Sequence, residues 1–185
     1  MIQPIKPMLL DRIQLPFDNE GYIFEPKLDG WRVIAYLAGD KTVLYSRRGS
    51  DISDTFVKLA HLHTCADKPC ILDGEIVADD GFWSVRKGVG ISYIPFDILE
   101  IDGENVTDMP LIERKKLLRQ NLFSNLYSPV PIPYIEAEGR KFFDLAVSKN
   151  LEGIIAKRKK GKYYAGKRTA EWVKIKNSKY IRECK

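Results

Sequence analysis

Two runs of aromatic and β-branched residues, Gly21–Pro26 (GYIFEP) and Trp31–Leu37 (WRVIAYL), stand only four residues apart. Such runs favour strands, and Lys27-Leu28-Asp29-Gly30 between them has room only for a tight loop. Gly39-Asp40-Lys41 reads as a hairpin turn into a further strand, Thr42–Ser46 (TVLYS). Cys70–Ala78, Ile91–Leu99, Leu151–Lys157 and Glu171–Lys176 read as strands as well. Pro110–Leu122 begins with Pro and continues with strong helix formers, which predicts a helix. Arg140–Lys149 predicts another. Ser50–Thr64 starts with polar residues and then places Phe56, Leu59, Ala60 and His63 at helical spacing. Gly81–Tyr93 reads as a connection. Hairpins mixed with separated helices predict an α+β fold with largely antiparallel sheets. The 185 residues suffice for one good core and are too few for two ordinary domains, so residues 1–185 are expected to form a single domain.

Composition narrows the function classes. No stretch approaches the ~20 apolar residues of a membrane span, so no membrane partner is expected. The N-terminal MIQPIKPMLLDRIQLPF lacks an uninterrupted apolar run and a small-residue cleavage site, which argues against secretion. Cys65, Cys70 and Cys184 are odd in number and form no C-x-x-C, against a disulfide framework or a zinc site and in keeping with a cytoplasmic protein. The net charge of +5 is unevenly placed, with 12 Lys and Arg against 2 acidic residues after Ala156 and a net acidic chain before it. Tyr163, Tyr164, Trp172 and Tyr180 interleave the basic stretch. A charge run alone is usually a solvated face, whereas cations with aromatics also suit a polyphosphate or nucleic-acid backbone.

Chemistry concentrates at Lys27-Leu28-Asp29-Gly30-Trp31-Arg32. A lysine fixed on a loop between strands can project into a cleft, and burial, nearby cations or a metal would favour its neutral, nucleophilic form. Asp29 is a hard oxygen ligand and Gly30 allows close approach of a backbone or phosphate. Taken alone, these six residues also suit a surface hairpin loop. Further fragments follow in order: Ser46-Arg47-Arg48-Gly49, Leu72-Asp73-Gly74-Glu75, Phe96-Asp97-Ile98-Leu99, Leu151-Glu152-Gly153-Ile154-Ile155-Ala156-Lys157 and Trp172-Val173-Lys174-Ile175-Lys176. The alternation in the last puts Lys174 and Lys176 on one strand face, where an anion or solvent must separate them. Glu75 and Glu152 stand in apolar strand contexts, to be explained by a metal ion, a ribose hydroxyl or a lysine partner. A lysine nucleophile, phosphate-binding cations, two carboxylates and a stacking ring are the parts for nucleotidyl transfer.

This ordered set, from Pro7-Met8-Leu9 to Lys176, resembles the covalent nucleotidyltransferases, most closely the adenylation domain of small bacterial or phage-type ATP-dependent DNA ligases. The resemblance implies an ATP-grasp-like α+β fold with nucleotide between two antiparallel sheets flanked by helices. It implies that Lys27 attacks the α-phosphate of ATP to give lysyl-AMP, and that the AMP passes to the 5′-phosphate of nicked double-stranded DNA. Glu25 falls where ligases read the adenine amino group, so ATP is expected and GTP is not. Arg32 and Arg47 match positions that hold the ribose, the phosphates or the nick phosphate. Glu75 matches the ribose-binding glutamate, Phe96 the ring on adenine, and Lys174 and Lys176 the lysines near the α-phosphate. Glu152 matches the glutamate that helps to place Mg²⁺ or Mn²⁺. Asp29 is a structural residue or a second metal candidate through water, and Lys157 is a further candidate to face the nucleotide. A complete ligase is expected to continue into an OB-fold domain, which these 185 residues do not include. A monomer is expected.

Other readings are a capping-type or RNA-ligase nucleotidyltransferase, or a non-catalytic nucleic-acid-binding module on the same scaffold. Trp31, Tyr36, Trp83 and Phe142 read as core or interface aromatics. Arg114-Lys115-Lys116 reads as a solvated helix face, and Cys70 as an inert buried thiol.

Overall fold

The computed structural model describes residues 4–79, 81–123 and 128–180. Cys184 lies outside them. The strand-forming runs build two five-stranded sheets. Their strands are β1 (Leu9–Ile13), β2 (Asn19–Pro26), β3 (Trp31–Ala38), β4 (Lys41–Ser46), β5 (Cys70–Ala78), β6 (Ile91–Ile101), β7 (Glu104–Asn105), β8 (Ile135–Ala137), β9 (Gly153–Arg158) and β10 (Arg168–Lys176). One sheet has the order β4-β3-β5-β6-β7, all antiparallel, and comes from one continuous stretch of chain. The other, β1-β10-β9-β2-β8, is assembled from both ends of the chain. It departs from the expected antiparallel pattern at one place, because β1 runs parallel to β10.

The Lys27–Gly30 loop is therefore not a hairpin. β2 pairs with β8 and β9, whereas β3 pairs with β4 and β5, so the four residues carry the chain from one sheet to the other. Gly30 is required there, since a Cβ would lie 2.1 Å from the Ile76 carbonyl oxygen of β5. The close approach expected of Gly30 is thus to backbone.

Side-chain alternation along the strands makes three apolar clusters. Val33, Ala35 and Leu37 of β3 point to one cluster, with Phe56, Leu59, Leu62 and Leu118. Ile34 points the other way, to a cluster between the sheets with Met8, Phe96, Leu99, Tyr163 and Trp172. Val173 and Ile175 of β10, with Ile154 and Ala156 of β9, cover the outer face of the second sheet. Helix α3 (Gly139–Ser148) closes that face through Ala146, with Phe142 partly buried beside it.

Some elements differ from the sequence reading for identifiable reasons. Ser53–Cys65 is a 3-10 helix interrupted at Phe56, and not an α-helix. Its buried residues, Phe56, Leu59, Leu62 and Cys65, recur every third position, which matches 3.0 residues per turn, while Ala60 is exposed. The Gly81–Tyr93 connection holds a short helix, α1 (Phe82–Lys87), ended by Gly88 in the left-handed conformation at φ 64°. Trp83 on α1 is exposed rather than a core residue. Cys70 is buried as expected, and burial pushes its thiol up to about 12.

The largest correction concerns α2 (Leu111–Asn121). Leu111, Arg114, Lys115 and Leu118 are its buried face, so of Arg114-Lys115-Lys116 only Lys116 is solvated. Arg114 makes a two-pronged bond to Asp97 of β6, Nε to Oδ1 and Nη2 to Oδ2, both at 2.8 Å. A buried pair of this kind is destabilising when broken from one side only, by about 3–5 kcal/mol. Arg114→Met is therefore expected to lower the denaturant midpoint strongly. Arg114→Met combined with Asp97→Leu is expected to recover most of that loss, measured by urea unfolding of the three proteins.

Candidate active site

Between the sheets lies a cavity of about 340 Å³, and Lys27 faces it from the crossover loop. The Lys27 backbone N–H donates to the Gly153 carbonyl at 2.9 Å, which sets the loop against the start of β9. Glu152, one residue earlier, is held from the other side by the Asn177 N–H on its carbonyl at 3.0 Å. Gly153 makes this approach feasible, with φ +135° and no room for a Cβ beside the Ile175 carbonyl. The two side chains consequently meet, Lys27 Nζ pairing with Glu152 Oε2. Glu152 precedes β9 rather than lying within it.

The first sheet supplies Arg32, Arg47, Glu75 and Phe96 to the cavity. Arg32 and Glu75 are directly paired across β3 and β5. Arg32 donates from Nε and Nη2 to the two oxygens of buried Asp73, at 2.9 and 2.6 Å. The Tyr163 hydroxyl donates to the same carboxylate at 2.7 Å and accepts from the Met8 N–H at 2.9 Å. Burial works against the Arg32 charge, but Asp73 outweighs it and raises the guanidinium pKa. Burial pushes the Glu75 carboxyl up to about 7, although Arg32 and Lys27 pull it down. Phe96 depends on a bulge: β5 pairs Asp73 with Asp97 but Gly74 with Pro95, so Phe96 is the additional residue. That slip keeps Phe96 on the inter-sheet side with Ile94 while Ile98 turns to the opposite cluster.

The second sheet supplies Glu25, Lys157, Trp172, Lys174 and Lys176. Lys174, Ile155 and Glu25 form one row across β10, β9 and β2, and Trp172 is opposite Lys157 two residues along on the same face. The expected alternation holds, since Lys174 and Lys176 face the cavity while Val173 and Ile175 face α3. Lys157 is buried with Nζ 4.0 Å from the Trp172 ring centre and 4.3 Å from that of Phe96. Burial pushes its ammonium down to about 8, Lys115 adds to the drop, and Glu25 opposes it.

Every site residue named from the sequence therefore lines this cavity except Asp29, whose Oδ2 accepts from the Tyr180 hydroxyl at 2.9 Å. Sequence reasoning did not single out Asp73 and Tyr163 behind Arg32, or Arg168 on the wall. Among the described residues no group of three or more His, Cys, Asp or Glu could hold a metal. The donor set fits a hard cation that shares one carboxylate with substrate phosphates, as Mg²⁺ commonly does. Glu152 is placed for that, on the wall beside Lys27.

A lysine, three carboxylates, a ring and two further lysines on one strand face, all around one inter-sheet cleft, define a nucleotidyltransferase domain. The family model described as "ATP dependent DNA ligase domain" matches residues 7–176, and the chain belongs to that family as an adenylation domain. It is 35% identical over 190 residues to the SPbeta prophage-derived DNA ligase-like protein LigB of Bacillus subtilis, covering 95% of this chain and 68% of that protein. It is 29% identical to the bifunctional non-homologous end joining protein LigD of the same organism, covering 87% of this chain but 32% of LigD. Among solved structures, mycobacterial DNA ligase D complexed with ATP and MES superposes with a TM-score of 0.82 at 28% identity, over 93% of this chain and 60% of that one. The Chlorella virus DNA ligase-adenylate, at 20% identity and a TM-score of 0.69, shares the fold. No helix among the described residues is long and apolar enough to cross a membrane.

The Glu75 environment has a measurable consequence. Its pKa is raised on folding, so the stability it contributes is complete below its unfolded value near 4.5 and is lost as pH rises through about 7. Its carboxyl carbon resonance is expected to titrate near pH 7 in the ligand-free domain. Glu75→Gln is expected to gain stability relative to the parent across that window, read from unfolding midpoints between pH 4.5 and 8.

Proposed function

We propose that this domain forms a covalent lysyl-AMP at Lys27 from ATP and passes the AMP to the 5′-phosphate of nicked double-stranded DNA. The observation that carries the reading is the convergence of Lys27, Glu75, Phe96, Glu152, Lys174 and Lys176 on one cavity, although they are far apart in the chain. The neutral Lys27 amine attacks the α-phosphorus, a P–N bond forms, and the P–O bond to pyrophosphate breaks. The amine parts from Glu152, with which it is paired in the ligand-free domain, one proton leaves the ammonium to solvent before the attack, and a second leaves the nitrogen once the P–N bond has formed. Negative charge grows on the phosphoryl oxygens, where Lys174 and Lys176 stabilise it. Glu152 would hold Mg²⁺ or Mn²⁺ together with phosphate oxygens, and a cation there supplies further charge neutralisation. Phe96 offers a ring for adenine, worth about 1–3 kcal/mol by analogy with bases on aromatics. Glu25 accepts from the adenine amino group, while guanine would set a carbonyl against the carboxylate.

Incubation with α-labelled ATP is expected to leave a gel-stable label that acid releases, as a P–N bond requires. Lys27→Ala and Lys27→Arg are expected to abolish it, the second because guanidinium remains protonated. Label retained in Lys27→Ala would remove Lys27 from its role, and equal labelling by GTP would favour a capping-type enzyme.

The basic segment after Ala156 is read as a DNA-facing surface, on which Lys160, Lys162 and Lys167 are exposed together with Tyr164, while Tyr163 is buried. Affinity for nicked duplex is expected to fall with salt, by about 0.9 in log K per log unit for each phosphate neutralised. A salt series of binding isotherms measures this, and a flat series would contradict it.

A further inference from the structure

Helix α2 presents two buried cations where a solvated face was expected. Arg114 secures the helix to β6 through Asp97. Lys115 has a different partner: its Nζ donates to Oε1 of Glu25 on β2. Lys115 is buried and lies behind the wall, outside the cavity lining, whereas Glu25 is part of the lining. The second oxygen of Glu25, Oε2, takes Nζ of Lys157 at 2.7 Å, and Lys157 does line the cavity.

The Glu25 carboxylate is thus gripped at one oxygen from behind the wall and at the other from the cavity side. The terminal torsion of a glutamate is broad and roughly two-fold, so a single partner does not fix its plane. Two lysines on different oxygens do. A carboxylate has about four acceptor sites, and two are taken here, which leaves capacity for a donor in the cavity. If Lys115 were removed, the carboxylate would be free to turn both oxygens onto Lys157, and the acceptor offered to a ligand would be lost. Lys115 itself is held in place because its neighbour Arg114 pins the helix and the Tyr134 ring centre lies 5.7 Å from Nζ.

We propose that Lys115 is a positioning residue for base selection: by clamping Oε1 of Glu25 it keeps that carboxylate turned to accept from the 6-amino group of a purine nucleotide. The proposal rests on the reading of Glu25 as the group that meets that amino group. Adenine brings a donor to this acceptor. Guanine brings a carbonyl, and an unsubstituted purine brings nothing, so both leave the carboxylate without the bond.

The test is equilibrium binding of ATP, GTP and purine riboside triphosphate, which lacks the amino group, to the 185-residue chain in the presence of a chelator, so that no lysyl-AMP forms. The unaltered protein is expected to prefer ATP over both others by roughly tenfold or more, the scale of a missing bond to a charged acceptor. Lys115→Met is expected to weaken ATP binding by a similar factor while leaving purine riboside triphosphate nearly unaffected, so that the preference disappears. Lys115→Arg, which keeps a cation, is expected to retain part of it. Glu25→Met is expected to lose the preference as well, and Glu25→Met with Lys115→Met is expected to lose nothing more, because one residue acts through the other. That double variant leaves no carboxylate stripped of its clamp, so it remains informative if Lys115→Met fails to fold. Preference retained in Lys115→Met, equal weakening of all three nucleotides, or additive losses in the double variant would overturn the proposal. Absence of any preference in the unaltered protein would instead overturn the reading of Glu25.

Discussion

A four-residue crossing from one sheet to the other is the constraint on which the rest of the site depends. β2 and β3 belong to different sheets, so Lys27–Gly30 must bend sharply at the seam between them. Gly30 accepts the contact with the β5 backbone that any side chain would forbid. Once the crossing is fixed, Lys27 has only the inter-sheet space to enter. The start of β9 meets the loop through the Lys27 N–H, and that contact places Glu152 against the same ammonium. Lys27 and Glu152 are therefore set against each other by backbone pairing before side-chain packing contributes.

Charge is then distributed so that each deeply buried carboxylate has a cation of its own. Asp73 holds Arg32, Asp97 holds Arg114, and Glu25 holds Lys115 and Lys157. Such pairs add little net stability over apolar replacements, yet they are costly to break from one side. Their effect is to fix orientation. Arg32 is a cavity residue whose guanidinium plane is set by Asp73, with Tyr163 taking a further acceptor site on the same carboxylate. Glu75 is pulled both ways: burial and Asp73 oppose its charge, Arg32, Lys27 and the Gly30 N–H favour it, and burial prevails to push it up to about 7.

Much of this was legible in the sequence because strand parity is local. WVKIK placed Lys174 and Lys176 on one face, and the cavity lies there. The edges of Cys70–Ala78 follow from composition alone. Sheet membership did not, because nothing within KLDG tells a hairpin from a crossing between sheets. The spacing of Phe56, Leu59, Leu62 and Cys65 carried the 3-10 period, but Ala60 and His63 mimic an α-helical face. Lys115 was hidden by composition: consecutive cations suggest solvent, although Leu111, Arg114, Lys115 and Leu118 share one helical face. Its partner Glu25 is 90 residues away, a pairing no local pattern reports. The short strands β1 and β8 are defined by their neighbours more than by their own residues.

The most direct test of the account is a crystal structure of the chain after incubation with ATP and Mg²⁺. Continuous density from Lys27 Nζ to the α-phosphorus is expected, with the adenine against Phe96, its amino group towards Glu25, and Lys27 parted from Glu152. Nucleotide bound outside the inter-sheet cavity, or an adduct on any lysine other than Lys27, would contradict it.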